Sequence, residues 1–239
     1  MSWCEFPGWL IGNEAITNYG CRVFTGLGVT MQLVAISVVL GCILAFGLAL
    51  TRIYGGPIFS RIALGYITFF RGTPLLCQLF LVYYGAGQIR PFLTDIGLWG
   101  FFREAFFCAV FTFTLNTAAY QAEILRGGIE SLPIGQTEGA KSLGLTPYQT
   151  YRKIILPQAV AVGLRPLGNE LVLMIKASSI ASVITVYDLM GVTRLAFSRS
   201  YDMEVYLWAA VLYLIMVEGV RRVWDVLERR LNRHLLLSH

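Results

Sequence analysis

Five long apolar blocks dominate the chain: Val23 to Leu50, Ile62 to Tyr84, Ala105 to Leu125, Ile154 to Ile184, and Val205 to Val220. About 20 apolar residues are needed to cross roughly 30 Å of hydrocarbon as helix, so each block is a candidate membrane span. The expected fold is all-α, a polytopic membrane protein with about five transmembrane helices. Residues 1–239 carry no internal repeat and no Pro-, Gly- or Ser-rich linker, so a single membrane domain is expected. Two blocks are not plain anchors. In the second, Gly72 and Pro74 weaken the same helical turn beside Arg71. Such breaks are tolerated next to protein or a water-filled cavity. The fourth has 31 residues, roughly 46 Å as a straight helix at about 1.5 Å per residue, and contains Asn169, Glu170 and Lys176. It must tilt, bend or break.

Composition and charge refine this picture. Apolar residues make up 56% of the chain and charged residues 14%, and the mean hydropathy is +0.63. A water-soluble fold of this composition would expose large apolar patches. The bases are unevenly placed. If the polar segment between the third and fourth blocks is cytoplasmic, that side holds Arg52, Arg61, Arg126, Lys141, Arg152, Lys153, Arg221, Arg222, Arg229, Arg230 and Arg233, against Arg22, Arg90, Arg103, Arg194 and Arg199 on the other. The positive-inside rule then puts the N-terminus outside and the C-terminus in the cytoplasm. Net charge +5 is thus an orientation signal, and no basic patch of the kind that binds nucleic acid is visible. The first 22 residues carry Glu5 and Glu14 and lack the order of a cleaved signal peptide.

The segment between the third and fourth blocks, residues 130–153, contains Glu138-Gly139-Ala140-Lys141-Ser142-Leu143-Gly144, followed after nine residues by Ile154-Ile155-Leu156-Pro157. Gly144 suits the left-handed position that closes a helix, Thr146 can cap the next, Pro147 fits its first turn, and Gln149 completes a capping box. An ordinary helix-turn-helix loop would carry these signals too. The spacing of Glu138, Ala140, Gly144, Ile154, Leu156 and Pro157 further resembles the "EAA" cytoplasmic loop of ABC importer membrane subunits. Gly139 departs from the usual alanine there, at a cost of roughly 1 kcal/mol in a helix interior.

Two more segments narrow the resemblance. Phe69-Phe70-Arg71-Gly72-Thr73-Pro74-Leu75-Leu76 resembles the second span of the polar amino-acid branch of these importers, and Asn169, Lys176, Ser178 and Ser179 resemble its corresponding later span. The resemblance covers about residues 20–225. It implies the type I ABC importer permease fold with cytoplasmic coupling helices, in the bacterial inner membrane. It also implies alternating access and a polar amino-acid or opine-like substrate. The implied partners are a second permease subunit, homologous or identical, two cytoplasmic ATPases and a periplasmic solute-binding protein. Glu138, Gly139, Ala140, Gly144, Ile154, Leu156 and Pro157 would couple to the ATPase. Arg71, Thr73, Asn169, Glu170, Lys176, Ser178, Ser179 and Asp188 would border the substrate path, since charges at membrane depth mark pathways by default. For Arg71 a structural kink, for Glu170 an ion pair within the bundle, and for Asp188 a surface-loop acid are the competing readings.

What is missing fits a subunit without its own chemistry. There is no Gly-Lys pair and hence no phosphate-binding P-loop. The only histidines, His234 and His239, support neither a catalytic set nor a metal site. No cofactor is expected on this chain; ATP and Mg would sit on the ATPase. A passive channel, or a permease for another small polar solute, is the remaining alternative. Cys42, Cys77 and Cys108 are expected to be buried, and Cys4 and Cys21 to face an oxidising side, with their pairing open. Residues 224–239 are expected to form a basic amphipathic tail on the inner leaflet.

Overall fold

The computed structural model describes residues 14–231, and every regular element among them is helical. Cys4, His234, His239 and the end of the expected tail lie outside the described residues. Helix α1 (Glu14–Tyr54) contains the first block. The second block is two helices, α2 (Gly56–Gly72) and α3 (Leu75–Gln88). Short helices α4 (Arg90–Asp95) and α5 (Trp99–Phe102) lead to α6 (Ala105–Glu130). The loop supplies α7 (Ile134–Ser142) and α8 (Pro147–Thr150). A π turn (Tyr151–Ile155), α9 (Leu156–Ala177) and a 3-10 segment (Ser178–Ile184) make up the fourth block. Helices α10 (Leu189–Ser200) and α11 (Glu204–Leu231) complete the chain.

By length and composition, Tyr19–Tyr54 and Pro147–Ile184 are apolar enough to cross a membrane, and α2 with α3 qualifies as one broken span. Helices α6 and α11 stand at the third and fifth blocks with 26 and 28 residues. The fourth block changes helix type along its length: it begins as a π turn and tightens to 3-10 from Ser178. Thr185, in the left-handed region at φ 67°, then ends it.

The chain divides into two compact units. The first, Met1–Val38 with Pro74–Thr114 and Leu173–Gly219, buries Leu33, Leu79, Phe113, Ile175, Ile184 and Leu189 completely. The second, Val39–Thr73 with Leu115–Val172 and Val220–His239, has a core of small residues, Ala45, Ala49, Ala119 and Ala122, filled out by Ile67 and Leu125. Small residues let backbones approach closely where no hydrophobic force separates helix from lipid. Gly41 is an example: a Cβ on it would stand 2.5 Å from Thr117 Cγ2.

One expectation is corrected. Cys108 is buried, but Cys42 and Cys77 are exposed, because an apolar run does not reveal which of its faces packs. Residue 224, where the expected tail begins, lies within α11, and Trp224 packs against α9 and donates its indole N–H to the Leu164 carbonyl at 2.9 Å.

Candidate functional site

The loop of the second unit is held by local backbone chemistry. Beyond Ser142 the chain closes α7 with two bonds, Leu145 N–H to the Ala140 carbonyl (3.1 Å) and Gly144 N–H to the Lys141 carbonyl (2.9 Å), with Gly144 at φ +73°. This is the Schellman pattern, which needs a residue free to adopt the left-handed conformation. The capping box follows as the sequence predicts: Gln149 N–H donates to Thr146 Oγ1 (3.3 Å) and Thr146 N–H donates to Gln149 Oε1 (3.0 Å). Gln158 ties α9 back to α7 by donating to Gln136 Oε1 at 3.3 Å.

Within this loop Glu138, Gly139 and Gly144 are exposed and Ala140 is buried. Ile154 lies in the π turn, half-buried, while Leu156 and Pro157 open α9. Ile134, Leu143 and Tyr148 escape the sequence reading. They are 76%, 81% and 68% exposed, three large apolar side chains presented outward on a polar loop. Their only sequence signal is an apolar residue among helix caps, which is too common to single out.

The break in the second block also has a local cause. Thr73 (φ −114°, ψ 147°) and Pro74 (φ −62°, ψ 132°) are extended, and Pro74 has no N–H for the carbonyl four residues back. That carbonyl belongs to Phe70, and Asn116 Nδ2 donates to it at 3.1 Å. Thr73 Oγ1 donates to the Phe69 carbonyl at 2.8 Å. Arg71 is exposed, with its guanidinium 5.4 Å from the centre of the Tyr120 ring.

The other polar positions divide by burial. In the second unit Asn169 is exposed, whereas Glu170 is buried and accepts from Thr117 Oγ1 at 3.0 Å; Gln121 Nε2 in turn donates to Thr117 Oγ1 at 3.0 Å. Glu170 is thus held by a hydroxyl and joins none of the ion pairs among the described residues. In the first unit Lys176 is exposed and, with Ser179, Met190, Tyr206 and Tyr213, lines a hollow of about 280 Å³. Ser178 is fully buried and donates to the Ile175 carbonyl at 2.7 Å. Asp188 is fully buried, not a surface-loop acid. Its Oδ1 accepts from Gly191 N–H at 2.8 Å as the N-cap of α10, and Tyr213 Oη donates to its Oδ2 at 3.5 Å. No cluster able to hold a metal ion exists among the described residues.

Known proteins share both this sequence and this fold. The nopaline transport system permease protein NocM of Agrobacterium fabrum is 39% identical over 90% of this chain and 89% of its own length. The octopine transport system permease protein OccM of Rhizobium radiobacter is 42% identical over 88% and 89%. Among solved structures, an amino acid ABC transporter crystallised with histidines superposes with a TM-score of 0.80 at 34% identity, covering 90% of this chain and 96% of that one. The MetNI methionine ABC transporter, at 20% identity and a TM-score of 0.70, shares the fold. Residues 26–233 match the family described as binding-protein-dependent transport system inner membrane component, and the chain belongs to that family.

Proposed function

We propose that this chain is the membrane-spanning subunit of an ATP-driven importer for a polar amino acid or amino-acid derivative of the opine kind. The permease role follows from the family, and the substrate class rests on relatives named for nopaline, octopine and arginine transport. The observation that carries the mechanism is the rigidly closed pair α7–α8, whose Schellman and capping-box bonds support an outward apolar surface of Ile134, Leu143 and Tyr148. A loop this well fixed transmits displacement instead of absorbing it.

In this reading a separate ATPase grips that surface, ATP and Mg belong to the ATPase, and this chain holds no cofactor. Glu138, Gly139, Ala140, Gly144, Ile154, Leu156 and Pro157 form the lever. A second permease subunit and a solute-binding protein complete the importer, with the loop on the cytoplasmic side. Arg71, Asn169, Lys176 and Ser179, whose side chains reach a surface, border the path. Thr73 shapes it at the helix break, and Glu170, Ser178 and Asp188 support it from behind. The test is reconstitution with ATPase and binding protein in vesicles. Accumulation of arginine or an opine against a gradient, only with ATP, is expected; equilibration without ATP would make this chain a channel.

A further inference from the structure

Beneath the loop of the second unit lies a cavity of about 670 Å³, separate from the polar positions assigned to transport. Phe46 and Leu50 of α1 and Ile155 at the end of the π turn wall it with apolar surface, while Lys141 and Arg152, both exposed, line it with positive charge.

The occupant that this lining fits is apolar at one end and anionic at the other. Its apolar end comes from the membrane side, because Phe46 and Leu50 lie within the candidate span Tyr19–Tyr54. Tyr54, Tyr148 and Tyr151 line the same cavity, and tyrosine is enriched at the level of lipid headgroups. We infer that this cavity is a binding site for one anionic glycerophospholipid of the inner leaflet. An acyl chain runs along Phe46 and Leu50, and the phosphate meets Lys141 and Arg152. The inference rests on the membrane placement of the permease and not on its substrate.

The test is native mass spectrometry of the full-length chain purified into detergent and exchanged against dioleoyl phosphatidylglycerol or dioleoyl phosphatidylcholine. The wild type is expected to retain one phosphatidylglycerol in preference to phosphatidylcholine, roughly thirtyfold if each of the two bases contributes as a lysine or arginine does near an anionic membrane surface. Lys141→Gln/Arg152→Gln should lose that preference, and Leu50→Trp, which fills the apolar wall, should lose retention of both lipids. Circular dichroism and gel filtration identify variants that remain folded. Equal retention of the two lipids by the wild type would overturn the site, as would an unchanged preference in the folded double variant. Displacement of the lipid when the ATPase or a second copy of the chain is added would assign the cavity to that protein partner instead. ATP-driven uptake that persists while lipid preference is absent would remove this site and leave the transport function standing.

Discussion

Asn116 donates its side-chain amide to the Phe70 carbonyl at 3.1 Å, the carbonyl that Pro74 is unable to serve. The break between α2 and α3 is therefore braced from α6. Polar contacts within membrane proteins contribute about 0.6 kcal/mol on average and up to about 1.7. Asn116→Leu should destabilise the protein within that range and loosen the break, lowering the thermal unfolding midpoint in detergent and speeding proteolysis between Gly72 and Leu75. Asn116→Gln, which keeps the donor on a longer arm, should recover part of the loss.

A second brace joins α11 to α9. Trp224 donates to the Leu164 carbonyl, and its indole lies so close to Gly168 that a Cβ there would stand 2.3 Å from Nε1. A methyl at that distance forces the ring out of its slot, and overpacking of this kind costs about 1–3 kcal/mol. Gly168→Ala is expected to lower the unfolding midpoint and to shift the tryptophan emission. Trp224→Phe should cost less, because it loses the hydrogen bond but relieves nothing and clashes with nothing. A neutral Gly168→Ala would mean that the indole has room to retreat.

These braces mark where sequence reading stops. The helices were legible because apolar blocks of span length have few alternatives, and the loop was legible because caps act over three or four residues: Gly144, Thr146, Pro147 and Gln149 all do what their neighbours demand. The break at Pro74 is local for the same reason. Asn116 and Trp224 act across 46 and 60 residues of sequence, and nothing near either names its partner. Nor does an almost uniformly apolar helix reveal its packed face, so Asn169 and Glu170, adjacent in sequence, end with one exposed and one buried.

Gly144 tests whether the loop is a lever. At φ +73° the Cβ of a β-branched residue crowds the following carbonyl oxygen, a strain of roughly 1–2 kcal/mol, whereas asparagine tolerates the left-handed region. Gly144→Val should leave membrane insertion intact while abolishing uptake and weakening co-purification of the ATPase, and Gly144→Asn should retain most of both. Full transport by the valine variant would separate this loop from coupling.

Orientation is tested by labelling. In a background with its native cysteines replaced, since Cys42 and Cys77 are exposed, a cysteine at Gln149 should react with an impermeant maleimide only from the cytoplasmic side, and one at Thr94 only from outside. Thr94 is on the short helix α4, and Gln149 is on the short helix α8, ahead of the apolar block that begins at Ile154. Reversal at either one would invert the placement drawn from the arginine and lysine distribution.

Asp188 separates support from contact. Its carboxylate caps α10 through Gly191, and the Leu189 N–H beside it is satisfied by Thr30 Oγ1 at 3.0 Å, so the turn between the 3-10 segment and α10 is tied to α1 within the first unit. Asp188→Ala removes the cap, a loss of about 0.5–2 kcal/mol, and strips Tyr213 of its acceptor. Asp188→Asn keeps an oxygen for Gly191 and should cost less. Because Asp188 has no exposed surface, neither variant should alter the order in which cationic, neutral and acidic amino acids compete for the residual uptake, once uptake is normalised to folded protein. The two measurements are the unfolding midpoint and the competition profile. A changed profile in Asp188→Asn with an unchanged midpoint would place this carboxylate on the substrate path, and Tyr213, which shares its hydrogen bond and lines the hollow beside Lys176, would then be the next residue to substitute.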